Sequence, residues 1–94
     1  MAGLLRNTVR NVTTAGTRVP LIASQTFISS VTGRARRTNT GSIYLGDNTI
    51  SSTGSALAAG DTVTISHPYQ FDLADEFIDS SVNGEGVDIW YMLV

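Results

Sequence analysis

Apolar and polar residues alternate over much of this chain with a period of two, the signature of strands that bury one face. Thr62-Val63-Thr64-Ile65-Ser66 shows it most clearly, with Val63 and Ile65 on one side and hydroxyls on the other. Phe27-Ile28-Ser29-Ser30-Val31-Thr32 is rich in β-forming residues, and Ser42-Ile43-Tyr44-Leu45 is a short apolar run halted by Gly46-Asp47-Asn48. Both are expected to be strands. Val87-Asp88-Ile89-Trp90-Tyr91-Met92-Leu93-Val94 carries apolar residues on both parities beyond position 88, as a central strand covered on both faces would. Pro20, inside Arg18-Val19-Pro20-Leu21-Ile22, cannot donate to a ladder and places that segment at a sheet edge or at the start of an edge strand. The one helical turn the pattern allows, Phe71-Asp72-Leu73-Ala74-Asp75-Glu76, is read as a loop.

Turn residues recur at short intervals: Ala15-Gly16, Thr40-Gly41, Gly46-Asp47-Asn48, Gly60-Asp61 and Asn83-Gly84. Asn-Gly between strand-like flanks favours a hairpin, so residues 77–82 and 87–94 are expected to pair, with Glu85-Gly86 lengthening the connection. Many short strands with close turns predict an all-β fold, a small antiparallel β-sandwich or barrel of jelly-roll-like form. Residues 16–94 are expected to form one such domain. The segment before Thr13 has neither clean alternation nor a helix start, and residues 1–15 are read as an extended N-terminal arm laid across another surface. A frayed tail or an ordinary first strand remains the alternative, and deletion up to Thr13 distinguishes them: an arm can be lost without unfolding the domain.

At 94 residues the chain fits one domain with a small core, burying about 60 to 65% of the surface its unfolded form exposes. Without cysteine, a disulfide framework and a thiolate metal site are excluded. The start, MAGLLRNTVR, is read as too short in its apolar run for a secretory signal, and no stretch approaches the roughly 20 apolar residues that span a bilayer. The expectation is a soluble protein made in a cytoplasm, with no membrane partner.

The net charge of −2 hides a segregation of sign. All six basic residues are arginines and precede position 38, whereas all eight acidic residues follow position 46. Arginine presents a weakly hydrated planar fork suited to carboxylates at interfaces, and lysine, the usual surface cation, is absent. This pattern suits protein contacts, between copies or with a larger partner, or else mutual neutralisation within one fold.

Candidate chemistry is sparse. His67, the sole histidine, lacks a Gly-x-Ser-x-Gly elbow to work with and is read as a packed or rim side chain. Asp72, Asp75, Glu76 and Asp79 lack the alternating oxygen ligands and central glycine of a calcium loop, and are read as a solvated acidic face. Phosphate-binding glycine spacings are missing. No catalytic residue, cofactor or metal site is expected. The cluster Arg34-Ala35-Arg36-Arg37 suggests nucleic acid at first sight, but proteins built for phosphate contacts are usually basic overall, and this chain has a pI near 5.0. No aromatic residues interleave with these arginines to stack on bases. Nucleic acid is therefore not expected as a partner. Arg6, Arg10, Arg34, Arg36 and Arg37 are assigned to a protein interface. Trp90, Tyr91, Tyr44 and Tyr69 offer rings to a sugar in principle, yet lie mostly in expected strands and are read as core.

The run Thr38-Asn39-Thr40-Gly41-Ser42-Ile43-Tyr44-Leu45-Gly46-Asp47, then Ile50-Ser51-Ser52-Thr53-Gly54, then Leu57-Ala58-Ala59-Gly60-Asp61-Thr62-Val63-Thr64-Ile65, resembles a pattern in small virion proteins of tailed bacteriophages. It continues with an acidic stretch at residues 71–79 and a closing strand at 87–94, so the resemblance covers roughly residues 17–94. It implies a compact β-sandwich that decorates or cements a capsid, located in the virion and made in the host cytoplasm. The implied partners are the major capsid protein and further copies of the chain, with a trimer favoured. A carbohydrate-binding or adhesive module of a head or tail fibre is the alternative. Neither carries catalytic residues to transfer.

Overall fold

The computed structural model describes residues 5–94. They form eight strands: β1 (Leu5–Val12), β2 (Val19–Pro20), β3 (Phe27–Ala35), β4 (Ile43–Gly46), β5 (Ala56–Leu57), β6 (Thr62–Asp72), β7 (Phe77–Ser80) and β8 (Glu85–Leu93). A single 3₁₀ turn, Leu73–Asp75, joins β6 to β7. One sheet runs in the order β1-β8-β3-β6 and the other in the order β2-β7-β4-β5.

The antiparallel pairing is nested: β1 with β8, β2 with β7, β3 with β6 and β4 with β5. The first half of the chain thus folds against the second as one long hairpin, wrapped so that alternate strand pairs fall in opposite sheets. That is the jelly-roll sandwich. Its core lies between the sheets, where Val12, Ile28, Ile43, Leu73, Ile78 and Ile89 are fully buried. The void left among the core side chains is only about 10 Å³. As the pattern predicts, Pro20 sits on an edge strand and β8 is central, flanked by β1 and β3, but β8 is covered on one face only, with Asp88, Trp90 and Met92 on the outer face.

Two expectations are overturned. The residues expected to form an arm are strand β1 from Leu5 onward, paired with β8 from Leu5↔Met92 to Val12↔Glu85. Val12 is completely buried, and the half-buried Arg10 donates from Nε to the Pro20 carbonyl at 2.8 Å, tying the edge of one sheet to the other. The alternation was hidden because the inward positions of β1 before Val12 are Arg6, Thr8 and Arg10 rather than apolar side chains. The second correction concerns Asn83-Gly84. The segments on either side of it do not pair as a hairpin, because β7 and β8 belong to different sheets. Gly84 takes φ +79°, and its N–H donates to Val12 O at 2.7 Å, so the turn carries the chain across the sandwich and fastens it to the end of β1.

The loop before β4 and the start of β8 are fastened to each other and to β1. Asn39, 9% exposed, donates from Nδ2 to Gly86 O at 2.9 Å. Glu85 accepts from the backbone N–H of Thr40 (2.6 Å) and Gly41 (2.8 Å), and these two donors hold its carboxyl below the usual carboxylate range. A side chain on Gly86 would collide with Arg10 O, so only glycine lets β1 lie this close. The loop before β4 is in this way clamped onto the start of β8.

Candidate protein-binding face

Alternation along the strands sorts the β1-β8-β3-β6 sheet into two faces. In β8, Val87, Ile89 and Tyr91 point into the core, and Asp88, Trp90 and Met92 point out. The registers then place the outward side chains in rows. Asn7, Trp90, Thr32 and Thr64 lie side by side across four strands, next to a row of Val9, Asp88, Arg34 and Thr62.

The centre of this face is tightly organised. Arg34 and Asp88 are cross-strand neighbours joined by an ion pair of 3.1 Å, and the Arg34 guanidinium lies 5.3 Å from the centroid of the Trp90 ring. Arg36 approaches the other oxygen of Asp88 at 3.7 Å. A cation over an indole is worth roughly 0.5–1 kcal/mol when exposed and about 2 kcal/mol when desolvated. The ordering has a cost: Arg34 Nε is shut off from solvent with no hydrogen-bond partner. Thr32 and Thr64 share a hydrogen bond of 3.0 Å beside the ring. Around this half-buried centre the rim is open, with Leu5 64% and Val9 44% exposed along β1 and the hydroxyls of Thr62, Thr64 and Ser66 along β6.

Of the five arginines assigned to an interface, only Arg34 and Arg36 come together. Arg37 is exposed beyond β3, Arg6 is exposed on β1, and Arg10 is held by Pro20. Arg6 and Arg10 have the opposite parity to Asn7 and Val9, so they do not share the face with Arg34. Trp90, expected in the core, lies outside it. Its parity with Asp88 was the missed signal, since the outward charge marks the outward residues two positions on. Tyr44 and Tyr91 are buried as expected, while Tyr69 is 75% exposed.

The acidic series does not form a solvated face. Asp79 is 3% exposed, accepting from Gly16 N at 3.0 Å and Ser80 N at 2.8 Å. Asp72 caps the 3₁₀ turn, accepting from Thr26 N (2.9 Å) and Ala74 N (3.0 Å), and these bonds lower its carboxyl below the ordinary range. Burial, then the charges of Asp47 and Asp75, push Glu76 the other way. Among the described residues no three His, Asp or Glu side chains gather as a metal site would need, and no helix is long and apolar enough to cross a membrane. His67 is an exposed rim residue, stacked loosely against Tyr69 with 5.9 Å between ring centroids.

Comparisons with protein families, with curated proteins and with solved structures found no match to this chain.

Proposed function

We propose that this chain is a non-enzymatic structural protein that attaches to the outside of a bacteriophage capsid and stabilises the shell, docking through the outward face of the β1-β8-β3-β6 sheet. The observation that carries the reading is the arrangement around Trp90: an aromatic ring and an ordered arginine at the centre, exposed Leu5 and Val9 beside them, and a polar rim. Tryptophan and arginine dominate the energetics of protein interfaces when a ring of weaker contacts excludes water around them. Arg34 is already immobilised by Asp88 and Trp90, so little side-chain entropy remains to be lost on docking. The jelly roll occurs in capsid proteins and in lectins alike, so the fold itself does not separate the two readings.

The test uses purified particles. Mass spectrometry should find the chain in a fixed ratio to the major shell protein, and added protein should co-sediment with particles stripped of it. Trp90→Ala should weaken that binding at least thirtyfold, in line with a central hot spot of about 2 kcal/mol or more, while Arg6→Ala should change it little. Equal binding by wild type and Trp90→Ala would rule this face out.

The exposed ring of Tyr69 favours a second reading, a module of a head or tail fibre that binds carbohydrate. A glycan array separates the two: binding abolished by Tyr69→Ala and indifferent to Trp90→Ala would support the sugar module instead.

A further inference from the structure

The flank opposite β1 and β2 is formed by the edge strands β6 and β5. It is open. Leu45, Leu57, Val63 and Ile65, with Gly46 and Ser55, line an apolar cleft of about 200 Å³ between the two sheets. The edge of β6 beside this cleft, Thr62 to Ser66, has no charge, no proline and no bulge, the devices by which exposed edges are normally protected from pairing. The phase of its hydrogen bonding is set by Ala35 N, which donates to Asp61 O at 2.9 Å. Alternation then turns the backbone groups of Asp61, Val63 and Ile65 toward β3, and those of Thr62, Thr64 and Ser66 outward.

We propose that the occupant of this edge is β6 of a second copy of the chain, paired antiparallel across a two-fold axis at Thr64. The cleft selects the partner by chemistry. A strand added beside β6 must offer apolar side chains on its inner face, and β1, the other long edge, offers Arg6, Thr8 and Arg10 there. β6 offers Val63 and Ile65, so the two clefts close each other. Centring on Thr64 sets Thr62 opposite Ser66 and Val63 opposite Ile65 of the second copy, leaving the alternation of both strands intact. The same register sets Asp61 opposite His67 at each end, an acid facing a base. Both residues are exposed in the single chain. Asp61 uses only Oδ2 within its own loop, accepting from Ala58 N, and His67 uses only Nδ1, accepting from Tyr69 N. Oδ1 and Nε2 are left to meet.

The pairing cannot run further along β6. Beyond Ser66 the register with β3 jumps from Ser30↔Ser66 to Ile28↔Phe71, and the residues between, His67-Pro68-Tyr69-Gln70, are exposed, have no partner in β3 and include a proline. This break limits the backbone pairing to the five residues from Thr62 to Ser66, with Asp61 and His67 meeting through their side chains just beyond its ends, and so fixes the register. The product joins two four-stranded sheets edge to edge, keeping both Trp90 faces outward. The inference does not rest on the capsid reading, and it departs from the trimer that the bacteriophage resemblance implies.

Sedimentation of the purified protein over a concentration series should show a monomer–dimer equilibrium. Thr64→Pro removes only an outward N–H, a position where edge strands accept proline, and should give a monomer with an unchanged circular dichroism spectrum. His67→Asp sets two acids against each other at both ends and should weaken pairing about tenfold. Because the chain has no cysteine, a register test needs a single thiol. Thr64→Cys should cross-link to itself on mild oxidation, since directly opposite hydrogen-bonded residues lie about 5.5 Å apart, within disulfide reach. Thr62→Cys should not, its two copies being about 13 Å apart. If Thr64→Pro does not fold, the cysteine pair decides alone. A wild type that stays monomeric, a trimer that Thr64→Pro leaves intact, or equal cross-linking at positions 62 and 64 would overturn the proposal.

Discussion

The two flanks of the sandwich are built from the same kind of edge strand and treated in opposite ways. On the β1/β2 flank, Val12 fills the space between the sheets, Arg10 bridges them through Pro20 O, and the inward positions of β1 before Val12 are polar. On the β6/β5 flank the sheets are linked by the short turn from Leu57 to Thr62, tied to β3 by Gly60 N donating to Ala35 O, and beyond it Val63 and Ile65 line an open cleft. An edge strand always presents unpaired backbone groups. The side chains beside them decide whether those groups stay with water or recruit another strand. Arginine closes one flank because its stem covers apolar surface while its head satisfies a carbonyl. Valine and isoleucine, with no polar end, leave the other flank dependent on what docks there.

Deleting residues 1–12 should have the largest effect. It removes the neighbour of β8 and the plug formed by Val12, so we expect no cooperative thermal transition and a collapsed circular dichroism signal. A folded, cooperative deletion variant would mean that β1 is dispensable and that the two flanks do not differ as described.

Alanine at matched valines sharpens the contrast. Val12→Ala at the closed flank should cost about 2–3 kcal/mol in urea denaturation, because a fully buried branched side chain leaves a cavity. Val63→Ala at the open flank should cost about 1 kcal/mol or less in the monomeric Thr64→Pro background, where part of its surface already meets water. In the wild-type background the cost should rise with protein concentration as pairing buries Val63. Equal costs in the two monomeric variants would show that the cleft is closed in solution.

The smallest effects concern pH and have opposite signs at two glutamates. Bonds from Thr40 N and Gly41 N lower the folded pKa of Glu85, so its contribution is present above the unfolded value near 4.5 and disappears as pH falls through the folded one. Glu85→Gln should therefore lower the thermal midpoint at neutral pH and flatten the acid limb of the stability curve. For Glu76, raised by burial and by Asp47 and Asp75, the contribution is present in acid and is lost as pH rises through the folded pKa. Glu76→Gln should accordingly raise the neutral midpoint and leave the acid midpoint where it was. Parallel midpoint shifts in both variants would contradict these assignments.

Period-two alternation and turn residues were enough to predict an all-β sandwich or barrel, to locate β3, β4 and β8 within a few residues and β6 as far as Ser66, and to put Pro20 on an edge, because each depends on the character of its own short segment; that β6 continues to Asp72 and leads into a 3₁₀ turn was not read. They did not reveal β1, whose inward positions before Val12 are polar and whose strand character comes from pairing with β8, distant in sequence. Nor did they reveal that Asn83-Gly84 crosses between sheets, since a turn's local geometry is compatible with either destination. The arginines were visible as a charge pattern, but which of them converge depended on strand register: Arg34 and Arg36 meet at Asp88, while Arg6 and Arg10 face the other way. Alternation along one strand tells which residues share a face. Only the pairing of strands far apart in the chain decides which residues become neighbours across it, and that set Trp90 beside Arg34 and left the β6 edge open.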